Sequence, residues 1–147
     1  MSDIRAQLAK IAASFVAEFN KWTAEGVIAH RSPNCKHTIL PASLEFPPRT
    51  PAEYQAFLAP VLPVMRNFTL HAKEGCPPVI DEVSRRLVLH LTSTAETDIG
   101  DYANEYVWTL KFNEDGTQIV DIIEFADSAY TKDFFSRLAA VASQASS

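Results

Sequence analysis

The sequence has 147 residues, a net charge of −5, and is 47% hydrophobic and 21% charged. These values are ordinary for a globular protein, so we expect residues 1–147 to form a single domain with its own core. No cluster of Lys and Arg interleaves with aromatic residues, which argues against a nucleic-acid partner. No stretch approaches the roughly 20 apolar residues of a membrane helix, which argues against a membrane partner.

The amino terminus and the two cysteines favour a reducing compartment. Residues 1–5 lack the basic segment and apolar run of a secretory signal. Cys35 and Cys76 stand far apart, and the segment Cys35-Lys36-His37 is too tight and too isolated for a metal site. We therefore expect two reduced thiols, a cytoplasmic protein and no bound metal.

The first half of the chain has helical periodicity. Asp3 is a candidate N-cap, and apolar residues then recur at three- and four-residue steps until Gly26 stops the helix. The capping box Thr50-Pro51-Ala52-Glu53 predicts a second helix. Between the helices, Pro and Asn in residues Arg31–Cys35 predict a turn, and residues Lys36–Leu40 predict a short strand.

The second half alternates apolar and polar residues with the period of a strand. Strands are predicted over residues 67–74, 79–97, 102–113 and 117–125, with a hairpin turn at Asp115-Gly116 and a closing helix from Ser128. This order indicates an α+β fold in which helices pack on one face of a strongly curved antiparallel sheet. Long strands in so small a domain must bend, and a bent sheet under helices leaves a pocket.

Two segments carry a family resemblance. Residues 112–128 combine a charged Asp-Gly turn with an acidic-aromatic pair and an Asp, which resembles the nuclear transport factor 2-like (SnoaL-like) superfamily. Residues 31–44 resemble a branch common in filamentous fungi, some of whose members are cofactor-free isomerases or cyclases of meroterpenoid and polyketide pathways. The resemblance implies a cone-shaped barrel with an apolar pocket, a small-molecule substrate, no cofactor, and a homodimer packed sheet to sheet.

A cofactor-free pocket that moves double bonds or closes rings needs an acid, a base and a group that holds an oxyanion. His37 can serve as acid or base because the unperturbed histidine pKa is near 6.5. Arg31 can hold an anionic group with its planar guanidinium, or tie a turn to backbone carbonyls. Glu124 lies in an otherwise apolar strand and is a candidate buried base with a raised pKa. Glu105 is the alternative catalytic carboxylate.

Strand alternation assigns the residues around Glu105 to two faces. Glu105 falls on the outer face, unless a bulge reverses the assignment. The opposite, inner set is Tyr102, Asn104, Tyr106, Trp108, Leu110 and Phe112. Asn104, Tyr106 and Trp108 are therefore predicted to bind substrate.

Three further residues are candidates for substrate contact. Asp127 either contacts the substrate or caps the closing helix. Phe57 and Trp22 belong either to the core or to the pocket wall.

The leading hypothesis is a cofactor-independent isomerase, cyclase or dehydratase that acts on an apolar, oxygenated natural-product intermediate. A non-catalytic binding protein for a similar molecule and a dimeric scaffold without a ligand are the alternatives. A pocket with paired titratable groups favours the enzyme, and a barrel filled by Phe and Trp favours the scaffold. A part-apolar outer face, assigned to Val107, Thr109, Val120 and Ile122, favours a homodimer.

Overall fold

The computed structural model describes residues 3–145 as three helices and a six-stranded curved sheet. The helices are α1 (Ile4–Phe19), α2 (Pro51–Leu58) and α3 (Ser128–Ala145). The strands are β1 (Arg31–Leu40), β2 (Arg66–Ala72), β3 (Val79–Asp81), β4 (Arg86–Thr97), β5 (Gly100–Phe112) and β6 (Ile119–Ala126). The predicted α+β class, with helices over a strongly curved sheet, is confirmed.

The sheet is mixed and not antiparallel throughout. The strand order is β1-β6-β5-β4-β2, with β3 also paired to β4. All neighbours are antiparallel except β1 and β6, which run parallel. The prediction of an antiparallel sheet was wrong for this pair, because alternation along a strand defines its faces but not the direction of its partner.

Two predicted boundaries also differ from the structure. Residues Arg31–Cys35 are not a turn but the first half of β1, where a register shift between Arg31 and Lys36 accommodates Pro33 on this edge strand. The predicted strand 79–97 is divided by a turn after β3. There Asp81 Oδ1 accepts a hydrogen bond from the Val83 amide at 3.1 Å, and Arg85 adopts a φ of 57°.

The helix starts follow the predicted chemistry. Asp3 caps α1 by accepting a hydrogen bond from the Ala6 amide at 3.1 Å. At α2 the Thr50 hydroxyl accepts from the Glu53 amide at 3.3 Å, and the Glu53 carboxylate accepts from the Thr50 amide at 2.9 Å. The buried face of α1 lies across the concave side of the sheet and consists of Leu8, Ala12, Phe15 and Phe19.

The faces of β5 and β6 decide which side chains reach the interior. The inner face of β5 is as predicted, and Glu105 lies on the outer face. In β6, however, Ile122 is fully buried, and the outward residues are Ile123 and Phe125. A register shift where β6 begins to pair with β5 makes Val120 an extra residue, so the predicted outer-face assignment of Ile122 was wrong.

Within the described residues, none of the helices combines the length and apolar character needed to cross a membrane.

Candidate active site

A cavity lies between the concave face of the sheet and the helices. It encloses about 620 Å³ of empty space, counted out to its open mouth, and its wall is mainly aromatic and aliphatic. Six of the residues predicted from the sequence line it: Trp22, Phe57, Asn104, Tyr106, Trp108 and Glu124. The interior is therefore a pocket and not a barrel filled by aromatic side chains.

A buried chain of three charged or titratable groups begins at Glu124 in the cavity wall and continues behind it through His37 to Arg31. His37 Nε2 lies 2.8 Å from Glu124 Oε1, and His37 Nδ1 lies 2.9 Å from an Arg31 terminal nitrogen. A second Arg31 nitrogen donates to the Val27 carbonyl at 2.8 Å. His37 and Glu124 meet because β1 and β6 are parallel neighbours, in which Glu124 pairs with Ile39, two residues after His37 on the same face.

The hydrogen bonds define the protonation of the histidine. Arginine can only donate, so His37 Nδ1 accepts from Arg31. The ring proton therefore lies on Nε2 and is donated to Glu124 Oε1. Within residues 3–145 the structure gives the other carboxyl oxygen of Glu124 no hydrogen-bond partner, and Glu124 is part of the cavity wall. This oxygen is the one available to a substrate.

Burial moves the pKa values of this pair in opposite directions. Desolvation raises the pKa of Glu124 to about 8, against the opposing positive charges of Arg31 and Arg49. Desolvation, assisted by the same two arginines, lowers the pKa of His37 well below 6.5. At neutral pH the site thus combines a neutral imidazole with a carboxyl group that can be a proton donor, and that becomes a base once it has lost its proton.

Aromatic rings fix the orientation of the chain of three groups. Tyr54 stacks on His37 with ring centroids 4.4 Å apart, and the Arg31 guanidinium carbon lies 4.5 Å from the Tyr54 centroid. Trp108 meets the His37 ring edge-on at 5.2 Å. The imidazole is therefore held on two sides, as a group that positions Glu124 should be.

A second polar wall is formed by strands β4 and β5 and helix α3. The Tyr102 and Tyr106 hydroxyls lie 3.0 Å apart, and Tyr106 also contacts the Ser93 hydroxyl at 2.8 Å. Asn104 Nδ2 donates to the Tyr102 hydroxyl at 2.7 Å and to the Thr131 hydroxyl at 2.9 Å. This network can orient the oxygens of a substrate in the same cavity as Glu124.

Two predicted site residues lie elsewhere. Glu105 points away from the cavity, where its carboxylate lies 2.9 Å from both Lys73 Nζ and His90 Nε2. Asp127 caps α3 by accepting from the Tyr130 amide at 3.1 Å. The carboxylate that pairs with His37 is Glu124, because strand alternation turns Glu105 outward.

Arg31 and His37 belong to the site but do not line the cavity wall. Their hydrogen bonds join them to each other, to the Val27 carbonyl and to Glu124. Glu124 is thus the member of this chain of three that reaches the cavity wall. Two residues near the site, Tyr102 and Arg49, were not predicted as site residues from the sequence. The inward position of Tyr102 on β5 could have identified it, whereas no feature of the sequence pointed to Arg49.

No three His, Cys, Asp or Glu side chains in residues 3–145 are grouped so that they could hold a metal ion. The fold and the site together define an α+β cone with an apolar cavity and a buried carboxyl group in its wall, the architecture of the nuclear transport factor 2-like class.

Comparison with known proteins places the chain in a narrower family within this class. No family model matches the sequence. The austinoid biosynthesis clusters protein H of Penicillium brasilianum is 38% identical over 130 residues, which are 88% of each chain. The crystal structure of the BvnE pinacolase from Penicillium brevicompactum is also 38% identical, with a TM-score of 0.91 over 95% of this chain and 96% of that chain. AusH from Aspergillus nidulans is 38% identical with a TM-score of 0.79, covering 84% and 86% of the two chains.

The chain belongs to the fungal nuclear transport factor 2-like family that includes these austinoid biosynthesis proteins. It is a secondary-metabolite tailoring enzyme of that fold.

Proposed function

We propose that this protein is a cofactor-independent isomerase or cyclase that uses acid–base catalysis on an apolar, oxygenated natural-product intermediate. The observation that carries the proposal is the Glu124 carboxyl group, buried in the cavity wall and held on one oxygen by His37. A single group with a pKa of about 8 is close enough to neutral pH to give up a proton and take one back.

The reaction begins with Glu124 as the acid. Its free oxygen protonates a carbonyl oxygen of the substrate. The carboxylate that remains is stabilised by the His37 Nε2–H and by the charge of Arg31. It then removes a proton from a second position of the substrate, so the enzyme returns to its starting state and the substrate has been isomerised without loss of atoms.

The cavity supports an apolar substrate that carries a few oxygens. Its aromatic walls suit a fused-ring skeleton, and the Tyr102–Tyr106–Asn104 network supplies donors and acceptors in the same cavity as Glu124. The kinship to a pinacolase and to austinoid biosynthesis proteins makes a meroterpenoid or polyketide intermediate the favoured substrate, and a 1,2-shift in a hydroxyketone, which conserves every atom, a candidate reaction. Cys35 and Cys76 are both free thiols, in keeping with a cytoplasmic enzyme.

The proposal is tested by deleting the gene in the strain that carries it and extracting the metabolite that accumulates. The purified protein is incubated with this extract, and products are separated by liquid chromatography and mass spectrometry. We expect a product with the same mass as the consumed compound. In Glu124→Gln, which keeps the oxygen that accepts from His37 but not the transferable proton, we expect kcat to fall by about 10²–10⁴-fold.

Glu105→Gln is the matched control, because it removes a carboxylate of the same strand pair on the opposite face. Its turnover should stay within about twofold of the wild type. A product lighter by one water would instead make the enzyme a dehydratase with the same acid–base group. Full activity of Glu124→Gln, or no consumption by the wild type, would contradict the proposal.

A further inference from the structure

An apolar groove lies beside the cavity, between helix α3 and residues 60–64, the segment that follows α2. It encloses about 840 Å³ of empty space, counted out to solvent, which is more than the cavity itself encloses. The helix contributes Phe135, Leu138, Ala139 and Val141 to its wall, and the facing segment contributes Val61 and Val64.

The groove and the cavity share two side chains, because Val61 and Phe135 line both spaces. Phe135 is half-buried, and its ring meets the ring of Tyr102 edge-on in the cavity wall, with centroids 5.9 Å apart. One turn earlier on the same face of α3, Thr131 also lines the cavity. The wall of the cavity therefore continues outward past Phe135 and becomes the wall of the groove.

The groove exposes apolar side chains to solvent. Val64 and Val141 are each 40% exposed. Among the residues that the structure describes, the lining includes one charged side chain, Asp98, and its carboxylate is paired with Arg66 at 3.0 Å. An exposed apolar surface of this kind, next to a ligand cavity, indicates a binding site for an apolar group, because covering it removes apolar area from water.

The side chains shared with the cavity favour the substrate as the occupant of the groove. A molecule seated in the cavity reaches the groove directly over Val61 and Phe135. A second copy of the chain is instead expected on the outer face of the sheet, where Ile123 and Phe125 are exposed, and neither of these residues lines the groove. Since the charge of Asp98 is already paired, the groove suits an aliphatic group better than a polar one.

We propose that the groove is the outer part of the substrate site and holds an aliphatic extension of the substrate that projects from the cavity past Phe135. The inference rests on the proposed function and narrows its substrate class. The substrate then carries an aliphatic extension at a distance from the carbonyl group that Glu124 protonates.

The test uses two probes that share a ring system and a carbonyl group and differ in the length of an alkyl chain, 6-methyl-2-acetonaphthone and 6-hexyl-2-acetonaphthone. Their binding to the full chain is measured by equilibrium dialysis. We expect the wild type to bind the hexyl probe about tenfold more tightly than the methyl probe, because the longer chain covers the groove.

Three variants locate the alkyl chain. In Val64→Asp the preference for the hexyl probe should fall to about twofold, since a charge in the groove opposes burial of the chain, and the methyl probe should bind as it does to the wild type. Val83→Asp places the same charge at a residue that is 92% exposed and outside the groove, and should keep the tenfold preference. Phe125→Glu alters the outer face of the sheet and should also keep it.

Absence of a preference in the wild type, an unchanged preference in Val64→Asp, or an equal loss of both probes in that variant would overturn the assignment. Loss of the preference in Phe125→Glu would place the chain on the outer face of the sheet and would also overturn it. A shift of Val64→Asp from dimer to monomer in sedimentation velocity would make a second copy the occupant of the groove.

A second measurement avoids any dependence on the folding of a variant. The methyl NMR resonances of Val64 and Leu138 in the wild type should shift on addition of the hexyl probe and not of the methyl probe, and no shift would count against the proposal. Both readouts concern binding, so they stand apart from a failure of Glu124→Gln to lose turnover.

Discussion

Glu124 and His37 are 87 positions apart in sequence and form a buried hydrogen-bonded pair. Burial penalises the charged form of each group, which raises the pKa of the acid and lowers that of the base. The sequence indicated a buried carboxylate with a raised pKa at Glu124, because a charged residue in an apolar strand is unusual. Its pairing with His37 could not be predicted, since it depends on which strands become neighbours.

This pair makes the stability of the protein depend on pH. The folded pKa of Glu124 is about 8 and its ordinary value is 4.5, so its contribution is lost as the pH rises through that interval. The folded pKa of His37 lies below its ordinary 6.5, so its contribution is lost only as the pH falls below 6.5. Between pH 6.5 and 8 we therefore expect the free energy of unfolding to decrease with rising pH, by at most about 2 kcal/mol.

Urea unfolding of the wild type and Glu124→Gln at pH 6.5 and pH 8.0 checks this expectation. The Gln variant cannot ionise at this position, so its stability should change little across the interval. An equal decrease in both proteins would assign the pH dependence to other groups.

At the scale of elements, helix α1 is joined to the sheet by the residue that ends it. Asn20 Nδ2 donates to the Leu70 carbonyl at 3.0 Å, and Asn20 Oδ1 accepts from the Leu70 amide at 2.7 Å. The amide side chain thus makes the two backbone hydrogen bonds that a neighbouring strand would otherwise make with the edge strand β2. The periodicity of the sequence extended the helix to about residue 24 and gave no sign of this contact.

Asn20→Ala should lower the free energy of unfolding by about 2 kcal/mol, because two backbone groups of Leu70 lose their partner. The adjacent control Lys21→Ala removes only an exposed ion pair with Glu18 and should cost less than about 0.5 kcal/mol. Thermal and urea unfolding of the two variants gives the comparison. Equal stabilities would show that water replaces the Asn20 amide without loss.

The elements themselves were largely predictable from local chemistry. The capping box of α2, the Asp-Gly turn and the alternation of β5 each act over a few residues, and each was confirmed. The parallel pairing of β1 with β6 and the extra residue at Val120 were not predictable, because they depend on contacts between distant segments.

At the scale of the whole molecule, the convex face of the sheet exposes an apolar patch. Val107, Ile123 and Phe125 are 37%, 38% and 52% exposed, and Val107 and Phe125 are direct neighbours across β5 and β6. The family resemblance implied a homodimer packed sheet to sheet, and this patch is where we expect a second copy to bind.

Sedimentation velocity tests the expected dimer. Phe125→Glu introduces a charge in the centre of the patch and should shift the protein to a monomer. Val83→Glu places the same charge in the turn after β3, at a residue that is 92% exposed and outside the patch, and should leave the dimer intact. A wild type that sediments as a monomer at micromolar concentration would refute the dimer.

The parallel pairing of β1 and β6 also sets the timing of assembly during synthesis. A ribosome adds about 5–20 residues per second, so Glu124 follows His37 by roughly 4–17 s. Throughout that interval β1 lacks β6, its neighbour in the sheet, and the nascent chain holds the imidazole without its carboxyl partner. The buried His37–Glu124 pair therefore forms only after β6 has been synthesised, and a ribosome that stalls before residue 119 leaves a product that contains all of β1 but lacks Glu124.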